Sequence, residues 1–529
     1  MKSKFLLFTA ALFVLFAHSN AQTPEWVMDN ARDIFVVGDK LFMEKYNSIT
    51  KTQEIWVSDG TATGTTLLKG LDTPGANIYT ELNGKIYFIA VDKDYLAELW
   101  ATDGTTAGTY LVKELKPSDY SAYILTVFNN KLYLLVKDDE HGAELWVSDG
   151  TEKGTKLFKD LNPGKGNGLT NHPEAIVYKD KMYFSALMEL GKNNYDVELW
   201  VSDGTEEGTK LFKDLNPDGL SYPYNYTIVN DKLYFNATTK AEGTELWVSD
   251  GTVDGKVLLK NIAGNYSGAP RRPLALNGKA YFITSSKPYE LYVTDGTREG
   301  TFLLEDSVGY HSAIINGELF FSKLISDEDS LQYALYKTNG KPGGASLVKV
   351  IEGGTSSGYA VHFREANNRW YFAIYDNKED YEFSNIWETD GTAENTKLVR
   401  DNQGKLLEEY REYDLISFNN SLFFVMNNPG IGYSLYRLDS PSTSATEFAQ
   451  NNVEVVLFPN PASNQLTIKT DSKLIGSNYT ILNIMGQTVR SGKIISDNTL
   501  LDVGDLPGGT YFVQIQSKDG NSISRFVKE

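Results

Sequence analysis

Nine times along its 529 residues this chain returns to one phrase, at start-to-start spacings of 44, 46, 54, 47, 45, 44, 51 and 49. A chain that repeats itself at that interval folds as stacked copies of one supersecondary unit, each too small to hide its own apolar surface. The phrase is fullest in Glu54-Ile-Trp-Val-Ser-Asp-Gly-Thr61, Glu98-Leu-Trp-Ala-Thr-Asp-Gly-Thr105, Glu144-Leu-Trp-Val-Ser-Asp-Gly-Thr151 and Glu198-Leu-Trp-Val-Ser-Asp-Gly-Thr205. Copies at Glu245 and Glu290 follow, and worn copies start at Ala334, Asn385 and Ser434. Six of the eight tryptophans (Trp56, Trp100, Trp146, Trp200, Trp247 and Trp387) hold one repeat position, and Tyr292, Tyr336 and Tyr436 hold it elsewhere. That position must therefore fill the same space in every copy.

Upstream of each phrase stands a short polar turn before an aromatic run, as in Asn83-Gly84-Lys85-Ile-Tyr-Phe88 or Asn277-Gly278-Lys279-Ala-Tyr-Phe282. Asn-Gly between alternating apolar runs marks a β-hairpin, since both residues tolerate positive φ. One strand precedes this turn, one follows it, the Glu-Leu-Trp run is a third, and runs such as Lys156-Leu-Phe-Lys159 are a fourth. Four antiparallel strands per repeat make a propeller blade, so the expected fold is all-β: a large β-propeller of nine four-stranded repeats, forming eight or nine blades. The last copy lacks a convincing fourth strand. Trp26-Val-Met-Asp29 resembles one and is expected to complete the ninth blade, because an open superhelical array would leave an unpaired edge. The turn aspartates Asp59, Asp103, Asp149, Asp203, Asp250, Asp295 and Asp390 read as structural, each accepting backbone N–H bonds inside its turn. They lack the alternating carboxylates of a calcium loop.

The chain carries 69 acidic and 50 basic side chains, a net charge of −19, which argues against nucleic acid as a partner. It has no cysteine and five histidines, so thiolate metal sites and a cysteine nucleophile are ruled out. No metal site and no cofactor are expected. Residues 1–21 read as a signal peptide: Lys2 and Lys4, a 13-residue apolar run from Phe5, and small residues at Ser19 and Ala21. No later stretch reaches the length of a transmembrane helix. The expected division is 1–21 signal peptide, 22–440 propeller, 441–452 linker and 453–529 a small Ig-like β-sandwich, the whole a monomer.

Two family resemblances follow from these motifs. Glu-Leu-Trp-x-x-Asp-Gly-Thr-x-x-Gly-Thr, with Leu-x-Lys-Asp-Leu-Asn-Pro-Gly at 157–164, resembles a repeat family of exported, propeller-like bacterial proteins. The turn also resembles the Asp-box of sialidase-type propellers, where it is structural. Departures occur in two worn copies, where Asn339 replaces the Asp and Asp439-Ser440-Pro441 replaces Asp-Gly-Thr. The tail reads Leu457-Phe-Pro-Asn-Pro, then Met485-Gly486-Gln487, then Leu506-Pro-Gly-Gly-Thr-Tyr511 and Arg525-Phe-Val-Lys528. It resembles the type A C-terminal sorting domain of the type IX secretion system. That resemblance implies the outer-membrane type IX machinery as a partner of residues 453–529, and a secreted or cell-surface location.

In an up-and-down blade the Asn-Gly and Asp-Gly-Thr turns share one face, and the variable loops share the other. Function gathers on variable loops over a rigid scaffold. The odd residues of 162–173, 187–197, 217–226, 265–273 and 375–383 and their surroundings are therefore the ligand-binding candidates: His172, Tyr222, Tyr224, Tyr226, Arg271, Arg272, His362 and Arg364. Tyrosine rings stack on apolar faces, and arginine makes forked bonds to carboxylates. No phosphate loop, zinc helix or nucleophile elbow occurs, and no catalytic residue is assigned. The expectation is a binding module for a glycan or protein ligand. The alternative is a secreted polysaccharide- or peptide-acting hydrolase or lyase, which requires acids from non-equivalent blades to converge near the axis.

Overall fold

The computed structural model describes residues 24–528, less 72–75, 116–121, 171–172, 192–193, 254, 260, 263–269, 272, 286–287, 328–329, 352–358, 376–382, 402, 411–414, 429–431, 440–454, 471, 484–487 and 518–519. The expected signal peptide and linker lie outside the described residues. The chain divides into two compact units, one of them spanning residues 21–440.

Within that unit, eight antiparallel sheets follow one another with their strands in sequence order. They are blades 1 to 8: residues 32–71, 76–114, 122–159, 175–213, 224–258, 274–305, 308–350 and 359–398. Blade 9 takes Ile416–Phe418, Ser421–Asn428 and Gly432–Leu438, and its fourth strand is Glu25–Asp29 from the other end of the unit. The first strands of successive blades lie beside one another and so line the axis. The hairpin turns have the predicted backbone, with φ of +54° and +72° at Asn83 and Gly84 and of +49° and +73° at Asn277 and Gly278. The stretch 187–197 is not a loop. It is an extended hairpin inside Lys181–Gly191 and Asn194–Ser202, paired from Met182↔Ser202 out to Glu189↔Tyr195.

The core is nine apolar clusters, one between each pair of neighbouring blades, and side-chain alternation on two strands builds them. On the third strand, the repeated aromatic always faces the preceding blade. Trp100 packs with Phe42 and Ile55 of blade 1, Trp200 with Tyr133 and Leu145 of blade 3, and Trp387 with Phe320 and Leu335 of blade 7. Its cross-strand neighbour on the second strand stacks on it: Phe88 on Trp100 at 6.4 Å, Phe282 on Tyr292 at 5.6 Å, Phe372 on Trp387 at 6.1 Å. The residue before that neighbour points the other way, into the following blade. Tyr87, Tyr133, Tyr183 and Tyr234 each join the cluster shared with the next blade.

The Asp-Gly-Thr turn locks each blade to the one before it. Asp Oδ1 accepts the N–H and hydroxyl of the motif Thr, at 2.9 and 2.7 Å for Asp149 and Thr151, and the same pair of bonds occurs at all seven aspartates. The first Gly is left-handed (φ +87° at Gly150), and a methyl there would fall on the Tyr87 ring of the preceding blade. The second Gly lies against the aspartate, where a methyl at Gly154 would fall on the Asp149 carboxylate. Basic residues of the preceding blade cap the turn's carbonyls: Lys159 reaches Glu206 and Thr209 at 2.8 and 2.7 Å. Lys179 reaches Asp250 O and Lys232 reaches Asp295 O. Six of the aspartates are exposed and Asp390 is partly buried, and all seven are held by short local bonds.

Ring closure uses the same devices across the chain termini of the unit. Glu25–Asp29 runs antiparallel to Gly432–Leu438 in the register Trp26↔Tyr436, Met28↔Leu435. Val27 and Met28 are buried with Leu41 and Met43 of blade 1 and Phe423 of blade 9, and Trp56 packs on this cluster. Arg437 donates to Glu25 at 2.6 Å, to Asp439 at 2.8 Å and to the Gly60 carbonyl of blade 1 at 3.2 Å. Nine blades therefore close on themselves, the ninth being completed by the N-terminal strand that the sequence pattern had singled out.

The C-terminal residues form two further sheets. One holds Val456–Phe458, Gln465–Lys469 and Asn498–Asp502; the other holds Thr488–Lys493, Asn478–Asn483, Gly509–Ser517 and Gly520–Lys528. Leu466, Ile468 and Leu501 of the first meet Ile481, Val513, Ile515 and Phe526 of the second in one core, which makes the domain a β-sandwich.

Candidate ligand-binding site

The first strands carry β-bulges at their variable-loop ends, between Tyr224 and Thr227, Val308 and Ser312, and Val361 and Arg364. A bulge re-aims side chains, and two of these place non-glycine residues in the left-handed region: Asn225 at φ +57° and His362 at φ +56°. They stand beside a cavity of about 390 Å³ lined by Asn225, Arg271, Leu274, Tyr281, Phe282, Ile283, Tyr310, His311 and Ser312. The cavity thus lies where blades 5, 6 and 7 meet the axis, on the variable-loop side.

Its chemistry is cationic and aromatic. The Arg271 guanidinium lies 3.4 Å from the centre of the Tyr310 ring, a cation–π stack, while its main-chain N–H is held by Ile283 O at 2.9 Å. Tyr310 also packs on Tyr289 at 5.0 Å, and His311 meets His362 edge to face at 6.2 Å between centroids. Asn225 is fixed from blade 4, its N–H donating to Glu174 at 2.8 Å. Burial pushes the Tyr224 hydroxyl above the usual tyrosine range, with Tyr310 adding to the rise. An aromatic floor with one guanidinium suits a ligand that offers both a flat apolar face and an acceptor group.

Of the residues proposed from sequence, the structure brings Tyr224, Arg271 and His362 to this region. Tyr222 is 48% exposed on the loop ahead of blade 5, and its N–H pairs with Val197 O. Arg364 donates to Phe363 O at 2.9 Å. Tyr226 is a correction: it is buried between blades 4 and 5 and its hydroxyl donates to Pro223 O, so it serves the core. His172 and Arg272 lie outside the described residues. Asn225, Tyr310, His311 and Ser312 are not among the sequence candidates: Asn225 lies in the 217–226 stretch but asparagine is an ordinary turn residue, and the other three lie in Val308–Ile315, outside the variable stretches. The bulges that bring them to the cavity are set by strand pairing, for which the sequence carries no signal.

Burial also raises carboxyls of the repeat phrase, among them Glu98, Glu144 and Glu198. Burial raises Glu144 to about 8 and Glu198 to about 7, against bonds from the Leu161 and Leu215 N–H groups, at 2.6 and 2.7 Å, that favour their charged forms. The turn aspartates move the other way, below the usual range. The Thr hydroxyl is the main cause at Asp59, Asp103, Asp149, Asp203, Asp250 and Asp295, and the Thr392 and Asn395 bonds outweigh burial at Asp390. Their contribution is present above the unfolded value of 3.8 and is lost as pH falls through the lower folded values. A raised glutamate acts oppositely: the native state binds the extra proton, so stability falls as pH rises from 4.5 to about 8 at Glu144. Thermal melts in chelator across pH 3 to 9 should therefore peak between these two limbs. Glu144→Gln should flatten the alkaline one, and an unchanged alkaline limb would contradict the assignment.

Residues 456–529 match the model of the secretion system C-terminal sorting domain. The protein is accordingly exported, reaching the outer cell surface or the medium by the type IX route, and its sorting tail engages that machinery. Among curated proteins none matches the sequence. Similar solved structures include PorZ, a surface component of the type-IX secretion system of Porphyromonas gingivalis, at 11% identity and TM-score 0.30, covering 95% of this chain and 82% of that one. The β-propeller domain of the Trilobed protease from Pyrococcus furiosus has 12% identity and TM-score 0.32, with coverages of 71% and 98%. Pyrococcus horikoshii acylaminoacyl peptidase has 15% identity and TM-score 0.33, with coverages of 68% and 60%. No helix among the described residues is long and apolar enough to cross a membrane. The chain is an exported β-propeller protein with a type IX sorting domain.

Proposed function

We propose that this protein is a binding module of the cell exterior, taking a glycan or protein ligand in the axial cavity of blades 5 to 7. The observation that carries this reading is the Arg271–Tyr310 stack beside Asn225 and His311, a guanidinium preorganised against an aromatic wall. Forked bonds from Arg271 select a carboxylate-bearing ligand, an acidic sugar or an acidic peptide end, and the tyrosine faces select a flat apolar surface. The sorting tail delivers the propeller across the outer membrane, after which the type A resemblance implies its cleavage and release or its attachment to surface lipopolysaccharide.

The hydrolase alternative called for acids of non-equivalent blades to meet at the axis. Among the described residues, the cluster of three acids, Asp196, Glu198 and Asp214, comes from a single blade and from its outer strands. An array of acidic glycans and peptides should show binding by the mature propeller that Arg271→Ala weakens about 10- to 100-fold, the worth of one charge-assisted contact. Turnover of a polysaccharide with no retained ligand would overturn the reading.

A further inference from the structure

We infer that blade 4 carries a divalent cation site, built from Asp196, Glu198 and Asp214 and suited to calcium. The inference is independent of the axial cavity. Asp196 and Glu198 stand on the third strand of the blade, Asn194–Ser202, and Asp214 follows directly on its fourth, Lys210–Lys213. One oxygen from each residue lies within 4.8 Å of the others. Ligands on a Ca²⁺ at about 2.4 Å can be at most twice that distance apart, so the spacing fits one ion.

The second observation is that three of these oxygens are orphans. Asp196 Oδ1, Glu198 Oε1 and Asp214 Oδ1 are buried and receive no donor from outside the cluster, the one side-chain contact being that between Asp196 and Glu198. Glu198 is only 1% exposed and Asp196 7%. Buried acceptors are almost always satisfied, and a buried charge without a partner is costlier still. The other Glu198 oxygen is pinned by the Leu215 N–H and the Ser221 hydroxyl, each at 2.7 Å, which fixes the direction of the free one. A hard dication bound between these carboxylates would satisfy all three groups. An all-carboxylate oxygen set selects Ca²⁺ or Mg²⁺ over softer metals, and irregular strand-end geometry favours the larger, more adaptable ion.

Neighbouring repeats explain why blade 4 is singular. Blade 3 keeps Glu144 and Asp160, each with an orphan oxygen, but has Gly142 where blade 4 has Asp196. Blade 5 has Glu245 with Asn261 and Gly243 at the corresponding positions. The set of three carboxylates thus occurs in one of these three pockets, blade 3 having two and blade 5 one.

The test is calorimetric titration of the full chain with CaCl₂ after chelation, beside thermal melts in CaCl₂, MgCl₂ and EDTA. One strong Ca²⁺ per chain and a higher melting temperature in calcium than in equal magnesium are expected. Losing an outer-shell partner costs about 10- to 100-fold in metal affinity, so Asp196→Asn, which removes a ligand, should cost at least about tenfold. That variant relieves repulsion, so in EDTA it should melt no lower than the parent, which separates loss of binding from loss of fold. No calcium-dependent shift in the parent, an equal shift with magnesium, or an undiminished response in Asp196→Asn would overturn the inference.

Discussion

A chain lacking residues 24–30 will lose cooperative unfolding and melt from its ninth blade. Those residues supply the fourth strand of that blade and bury Val27 and Met28 in the cluster that joins blade 9 to blade 1. Truncating one buried methionine to alanine costs about 2–5 kcal/mol, so Met28→Ala alone should lower stability by that amount. The deletion should cost more. It also strips Gly432–Leu438 of its pairing and leaves Arg437 without Glu25, creating an exposed edge open to strand addition. Denaturant unfolding followed by tryptophan fluorescence checks this: a lower midpoint, a broadened transition and concentration-dependent aggregation are expected. An unchanged midpoint would mean that the strand is dispensable and the ring is held otherwise.

Gly150→Ala should be strongly damaging, as should the equivalent change at Gly340, which meets Tyr281 in the same way. Gly150 combines φ of +87° with a site where the added methyl falls on the Tyr87 ring. Left-handed strain of about 1–2 kcal/mol and overpacking of about 1–3 kcal/mol sum to roughly 2–5 kcal/mol. Gly84→Ala provides the comparison, with φ of +72° and nothing within 4 Å of the new methyl, so it carries the strain alone. If the two variants melt together, the packing of each turn on the preceding blade's tyrosine is not what demands glycine. Tyr87→Leu should rescue part of the Gly150→Ala loss in a double-mutant cycle, because the clash is shared by that pair.

These two regions show what repetition makes readable. The third-strand aromatic recurs in all nine copies, and the polar hairpin turns and Asp-Gly-Thr turns in most, because each meets the same kind of neighbour in successive blades, so their spacing defines the blades. Even the unpaired fragment Trp26-Val-Met-Asp29 could be matched to a missing fourth strand. What did not repeat was harder to read. Tyr310 and His311 lie within a strand whose pattern marks it only as pleated sheet, and the bulge that turns them toward the axis depends on pairing with Glu318–Asp327. Tyr226 looked like its neighbours Tyr222 and Tyr224, but register places it on the core side. The 187–197 stretch passed for a loop because its polar residues break apolar alternation, while main-chain pairing to Glu189↔Tyr195 extends the hairpin regardless. The acids of blade 4 were invisible for a different reason. Their significance is that no donor from outside the cluster reaches them, which depends on how the third and fourth strands of the blade pack.

The closed ring is the premise on which the axial cavity and the face assignment rest. The cysteine-free sequence makes its direct test clean. Trp26 and Tyr436 are cross-strand partners although 410 positions separate them, and antiparallel partners stand about 4.5–5.5 Å apart, within disulfide reach. In the double variant Trp26→Cys, Tyr436→Cys, mild oxidation should give a monomeric, intramolecularly crosslinked species in nearly every molecule, identified by peptide mapping. Free thiols, or crosslinks only between chains, would show that the two ends do not meet and that the propeller is open.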